Sequence, residues 1–255
     1  MDIDLNADLG EGFGPWRMGE DEALLDIVSS ANVACGFHAG DPVIMDRTVR
    51  MARQRGVDVG AHVGFPDLMG FGRRQMQIET KELVAYVLYQ LAALDGMART
   101  AGHRMTHMSF HGALGNMAAA DAALAEPLVR AVADFDPSLT VSTSASRAIE
   151  DAAGRCGLRV RRTFLADRAC GDDGLLVPRK LPGAVIHERE AVLARVRQLL
   201  EDGTVTSVTG KKIPMRVHSI LLHGDTPGAV ELARAVRGVV EQAGRVVPIS
   251  RQAND

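Results

Sequence analysis

The chain has 255 residues, 46% hydrophobic and 24% charged, and its 29 Lys+Arg against 32 Asp+Glu leave a net charge of −3. That composition suits a globular protein with a buried core and excludes a disordered chain, a basic nucleic-acid-binding surface and, with no apolar run near ~20 residues, a membrane span. The opening Met1-Asp2-Ile3-Asp4 lacks the blocks of a signal peptide, and Cys35, Cys156 and Cys170 are too few and scattered for a disulfide framework or thiolate zinc site. The expectation is one cytoplasmic domain over 1–255, acting on a small molecule.

Two periods alternate along the chain. Ile3–Leu9 reads as a strand, with Ile3, Leu5, Ala7 and Leu9 on one face and Asp4, Asn6 and Asp8 on the other. Glu20–Ser29 reads as a helix and Ser30–Cys35 as a small-residue strand. Asp41-Pro42 starts a helix that Gly56 ends, because Asp caps free amides and Pro suits the first turn. Asp58–His62 is a short strand. From Thr80 to Thr100, Leu83, Val87, Leu91, Leu94 and Ala98 recur at helical spacing. Strands follow at Met105–Ser109, Leu139–Ser142 and Arg159–Phe164, with helices at Ala120–Phe135 and Ser144–Cys156 between them. Glu188–Glu201 is a helix, Thr204–Met215 a hairpin turning at Thr209-Gly210, and Val217–Leu222 a strand. Thr226-Pro227 starts the last helix. About seven strand–helix units result, which favours a parallel sheet, closed as a barrel or doubly wound. Val63–Ile78 and Leu165–His187 are longer than ordinary connections, and long loops in compact domains are usually functional.

Polar residues gather where strands end, the end that carries active sites in βα architectures. Asn6, Asp8 and Glu11 close the first strand; the second carries Asn32 and leads to His38; His62 ends the third; His107, Ser109 and His111 share one parity of the fourth; Asp167 and Arg168 follow the sixth; His223 and Asp225 follow the last. If these faces point inward, they converge on one polar mouth. Asp41 and Asp225 also precede helices that start at prolines, where a cap or turn is the plain explanation. Gly70-Phe71-Gly72-Arg73-Arg74 offers amides and guanidinium groups to an anion, but no P-loop, GxSxG elbow or HExxH helix occurs. Asp8, His38, His62 and His111 could together hold a divalent metal, although ligands from different strands leave no spacing signature.

Several blocks together resemble the LamB/YcsF family. They are Asn6–Glu11, Ser30–Pro42, Gly70–Arg74, His111–Leu114, Ala166–Ala169, Val185–His187 and His223–Ala229. The resemblance runs from about Asp4 to Gly244. It implies an α/β fold, an irregular seven-stranded (β/α) barrel of the glycoside hydrolase/deacetylase type. It also implies the A subunit of a prokaryotic 5-oxoprolinase, which opens 5-oxo-L-proline to L-glutamate with ATP as co-substrate and B and C subunits as partners. A lactam is a poor electrophile; phosphorylating its oxygen makes it attackable by water, and this needs a base, an acid and donors for the oxyanion. Asp8 is then the expected base and His38 or His111 the acid. Asn6, Asn32 and His62 would orient substrate, Arg73 and Arg168 would meet phosphate or carboxylate, and Glu11, His223 and Asp225 complete the expected binding set. The family block usually reads Lys-Pro-His-Gly-Ala-Leu-Tyr-Asn, whereas this chain has Ser109 and Gly115 at the Lys and Tyr positions. Two alternatives stay in view: a metal-dependent deacetylase or amide hydrolase, suggested by the implied fold kinship and the His/Asp mouth, and a non-catalytic binding subunit, suggested by the missing Lys and Tyr.

Overall fold

The computed structural model describes every residue except Ala145, Thr226, Pro227, Asn254 and Asp255. Six strands come first: β1 (Asp2–Leu9), β2 (Ser30–Ala34), β3 (Asp58–Val63), β4 (Met105–Phe110), β5 (Thr140–Thr143) and β6 (Arg159–Leu165). An antiparallel hairpin of β7 (Thr204–Thr206) and β8 (Lys212–Pro214) precedes β9 (Ser219–Leu222). Strand β9 pairs in parallel with both β6 and β1, so the sheet closes as a barrel of seven parallel strands. The choice left open by the sequence, barrel or doubly wound sheet, is thereby settled. A further strand, β10 (Arg245–Val246), adds to β1 at Asp2 and Ile3; two residues have no period to read.

Strand β1 shows how the barrel fills. Ile3, Leu5, Ala7 and Leu9 join the apolar core. Asp4, Asn6 and Asp8 are buried too, but they contact polar side chains of neighbouring strands. A polar interior is stable only where its groups are paired, and the register supplies the pairs. Asp8 lies opposite Asn32, Asn32 opposite Gly60, and Gly60 opposite His107. At the amino end, Asp4 accepts from Ser29 Oγ at 2.7 Å and Ser219 Oγ at 2.6 Å. Burial nevertheless pushes the Asp4 carboxyl up to about 6. Asp58 accepts from Ser250 N at 2.8 Å and Ser250 Oγ at 3.0 Å, which seats the 3₁₀ turn Ile249–Arg251 at this end of the barrel.

The helices follow the sequence with instructive differences. Helix α1 spans only Asp21–Leu25, because Ser29 turns back to donate its N–H to the Leu5 carbonyl. Helix α2 (Pro42–Arg55) is capped by Asp41, whose carboxylate accepts from Val43 and Ile44 N–H, and ends at left-handed Gly56. Helix α3 (Thr80–Thr100) buries the five expected residues. The expected helix Ala120–Phe135 is two: α4 (Gly112–Ala120) and α5 (Ala122–Phe135), divided at Asp121, which caps α5. Gly112 and Gly115 mask α4 in the sequence. Helix α6 runs Arg147–Arg155 behind the Ser146 cap, and α7 runs Arg189–Asp202. The last helix, α8, runs Ala229–Ala243; the start expected at Thr226-Pro227 lies outside the described residues. Among the described residues no helix is long and apolar enough to cross a membrane.

Candidate active site at the carboxyl ends of the strands

A cavity of about 570 Å³ opens at the carboxyl ends of the strands. Of the residues expected at the mouth, Asp8, Asn32, His62, Arg73, His111, Arg168 and His223 line it. Asn6, Glu11, His38 and Asp225 do not, but each adjoins a residue that does. Asn6 donates to Asn32 at 3.4 Å, Glu11 and His38 face each other at 3.5 Å with His38 stacked on His111, and Asp225 accepts from Arg73 Nη2 at 2.9 Å.

Asp8 is held on both oxygens. Oδ1 accepts from Asn32 Nδ2 at 2.9 Å, and Oδ2 lies 3.4 Å from His62 Nε2. Burial alone would raise this carboxyl, but His62, His223 and the Asn32 amide outweigh it and hold it below the usual carboxylate range. Asn32 is fixed in turn, because its Oδ1 meets His107 Nε2 at 3.1 Å while His107 Nδ1 meets Thr106 Oγ1 at 2.9 Å. The His107 ring fills the space that Gly60 leaves: a Cβ on Gly60 would stand 2.2 Å from His107 Cδ2. Burial holds His107 down to about 4, so it serves as a neutral hydrogen-bonding spacer.

The histidines form a chain. His62 Nδ1 meets Ser109 Oγ at 2.7 Å, His62 Nε2 meets His111 Nδ1 at 2.8 Å, and His111 Nε2 donates to the Phe71 carbonyl at 2.8 Å. Phe71 takes a left-handed φ of 54° to present that carbonyl. A left-handed residue with a Cβ is disfavoured by roughly 1–2 kcal/mol, so the surrounding contacts must hold it. His38 stacks on His111 with centroids 3.8 Å apart and planes 8° apart. Burial and the neighbouring positive groups hold both rings well below the ordinary histidine value. The buried carboxyl of Glu11 is pushed well above its own, first by burial and then by Asp8 and Asp225. Glu11, His38, His62 and His111 offer four ligand atoms within 4.8 Å of one another. The acidic member of this group is Glu11, where the expected ligand set has Asp8, whose Oδ2 stands 3.4 Å from His62 Nε2 beside it.

Around the rim, His223 Nδ1 donates to Asp167 Oδ2 at 2.7 Å, and Arg179 Nη2 donates to His223 Nε2 at 3.1 Å. Arg168 gives Nε to the Ala184 carbonyl at 3.1 Å and Nη2 to the Val177 carbonyl at 2.7 Å. Its main visible work is to order the loop between β6 and α7. Burial lowers Arg168 to about 10. Arg74 turns to Asp67, with Nε 3.0 Å from Oδ1. Arg179 and Lys180 also line the cavity and are not among the expected residues; the unusual length of their loop is the only signal of them in the sequence.

The fold and mouth define a closed parallel (β/α) barrel with a histidine- and carboxylate-lined cavity at the carboxyl ends of its strands. The family model described as LamB/YcsF family matches residues 3–254, and the chain belongs to that family. It is 67% identical to the first of the 5-oxoprolinase A subunits of Pseudomonas syringae pv. tomato, over 98% of each chain. It is 64% identical to the second of those of Ralstonia nicotianae, over 99% of this chain and 97% of that one. The crystal structure of the lactam utilization protein from Thermus thermophilus superimposes with a TM-score of 0.90 at 41% identity, covering 97% of this chain and 99% of that one.

Proposed function

We propose that this chain, as one barrel domain, is the A subunit of a cytoplasmic ATP-dependent 5-oxoprolinase that opens 5-oxo-L-proline to L-glutamate with B and C subunits. The supporting observation is whole-length identity of 67% and 64% to proteins named as A subunits of 5-oxoprolinase, in a chain whose cavity carries acid–base groups and cations together. A volume of about 570 Å³ is ample for a five-membered lactam bearing a carboxylate and a phosphoryl group. Arg73, Arg179 and Lys180 line it and suit those anions, so the Lys absent at Ser109 does not leave the mouth without positive charge.

The proposed chemistry follows from the contacts. Asp8, held below the usual carboxylate range, is a weak proton acceptor by itself. It orients His62 through Nε2, 3.4 Å away, and His62 Nδ1 takes the proton of attacking water by way of the Ser109 hydroxyl, 2.7 Å from it on the cavity wall, which passes its own proton on and receives the water's in return. His111, anchored on Phe71, stands beside it to return a proton to the ring nitrogen. Asn32 donates near the developing oxyanion. Exposed apolar side chains on loops at the cavity end, Trp16 at 69% and Met69 at 95%, suit the docking of a partner protein. The test is ATP-coupled glutamate release from 5-oxoproline. The assembled A, B and C subunits turn over, this chain alone does not, and Asp8→Asn in the complex loses about 10²- to 10⁴-fold, the usual worth of a proton-transfer group. Equal rates with and without this chain overturn the reading.

A further inference from the structure

The geometry points to a divalent metal centre of the zinc class held by Glu11, His38, His62 and His111. All four side chains are buried and their ligand atoms lie within 4.8 Å of one another. Two spacings, 2.8 Å for His62 Nε2 to His111 Nδ1 and 3.5 Å for His38 Nε2 to Glu11 Oε1, already bracket the ~3.3 Å edge of a tetrahedron with bonds of ~2.0 Å.

Three features fit an ion better than a hydrogen-bonded cluster. First, both ring nitrogens of His38 and Glu11 Oε1 are buried with no hydrogen-bond partner. Unsatisfied buried polar atoms are rare and need a reason. A Cβ on Gly64 would stand 2.7 Å from His38 Nδ1, so that edge of the ring packs on the backbone while Nε2 faces Glu11. Second, His62 and His111 each have the nitrogen remote from the cluster fixed by an oxygen, Ser109 Oγ at 2.7 Å and Phe71 O at 2.8 Å. Metal-bound histidines are oriented in this way. With an ion bound, the His62 ring proton moves from Nε2 to Nδ1, is donated to Ser109 Oγ, and leaves the Nε2 lone pair facing inward. Third, the Glu11 carboxyl is itself buried, and a buried carboxylate is stable only with a cationic or hydrogen-bonding partner beside it.

Three imidazoles and one carboxylate select borderline dications, zinc, cobalt or nickel, over magnesium or calcium. His62 and His111 line the cavity whereas His38 and Glu11 do not. An ion here is therefore closed on one side and approachable from the cavity on the other, where it can polarise a carbonyl or a water. This centre goes beyond the lactam reading: with an ion bound, His62 and His111 act as its ligands in place of the proton-transfer roles given above, and because the test involves no turnover either can fail without the other.

The purified full chain, stripped with chelator and returned to chelator-free buffer, is titrated with Co²⁺ and with Zn²⁺. One equivalent is expected to bind, with visible Co²⁺ ligand-field bands of a nitrogen–oxygen site and a raised Tm. His38→Gln and Glu11→Gln abolish the stoichiometric uptake and the bands. Glu11→Gln replaces a buried carboxyl with a neutral amide of the same shape, so its metal-free Tm stays close to that of the parent and loss of binding is not loss of fold. Ser109→Ala weakens binding by roughly 10- to 100-fold, the usual effect of removing an oxygen behind a ligand histidine. His187→Ala, an exposed histidine elsewhere, leaves binding unchanged. No stoichiometric uptake by the parent chain, or parental binding by both His38→Gln and Glu11→Gln, overturns the inference.

Discussion

Ser109 and Gly115 differ in consequence although both depart from the same family block. Ser109 is buried and holds His62 Nδ1 at 2.7 Å, so it is part of the site. Gly115 is a packing position: a Cβ there would stand 2.5 Å from the Phe110 carbonyl oxygen, which is backbone and cannot rotate away. Gly115→Tyr is therefore expected to destabilise the chain by about 1–3 kcal/mol, the usual range for overpacking, instead of restoring a lost hydroxyl to the cavity. Urea unfolding of the variant against the parent measures this, and an unchanged midpoint would show that α4 moves aside. The residue scale is also where sequence reading runs out. Asp8, Asn32, His62 and His111 are legible because strand parity sends Asp8 and His111 to one face and end. Arg179 is not legible, because its place against His223 depends on how a long irregular loop folds over the cavity. The pairing of Glu11 with His38 is equally hidden: it joins loops after β1 and β2 with no period to relate them.

Between β3 and β4 the barrel exchanges a side chain for a ring. Gly60 lies opposite His107 in register and vacates the volume that the imidazole occupies. The ladder register shifts between Val59 and Gly60, at the exchange itself. Gly60→Ala should strain the pair of strands and tilt His107 away from Asn32, at a cost of about 1–3 kcal/mol. Adding His107→Ala to Gly60→Ala should recover part of that loss, since the clash then has no partner, while Asn32 loses its support. A double-mutant cycle by thermal unfolding reads the coupling; strictly additive effects would mean that the two residues do not compete for one space. Strands and long helices are legible here because periods of two and 3.6 persist over several turns. Helix α4 and strand β10 are not, one being rich in small residues and the other only two residues long.

Closure of the whole barrel rests on polar groups at its amino end. Asp4 on β1 accepts from Ser29 just before β2 and from Ser219 on β9; Ser30 also donates towards it, and Asp58 is the neighbouring like charge. Because burial lifts its pKa from 3.8 to about 6, the folded chain retains a proton that the unfolded chain releases between those values. Stability from this group is full below pH 3.8 and falls as pH rises towards 6. At about 1.4 kcal/mol for each tenfold change in proton affinity, the loss is about 3 kcal/mol. Asp4→Asn is expected to gain stability relative to the parent by about that amount between about pH 4 and pH 7, measured by urea unfolding across the range. A gain independent of pH would show that Asp4 does not titrate in the folded chain. The same closure sets a timetable for biosynthesis. Ser219 lies 215 residues beyond Asp4, and β9 is the strand that joins the two open edges. At about 5–20 residues per second, a ribosome needs roughly 10–40 s to deliver β9 after β1. Throughout that interval one edge of β1, and once it is made one edge of β6, lack their partner strand, the state in which nascent chains are most open to wrong strand pairing and in most need of a chaperone.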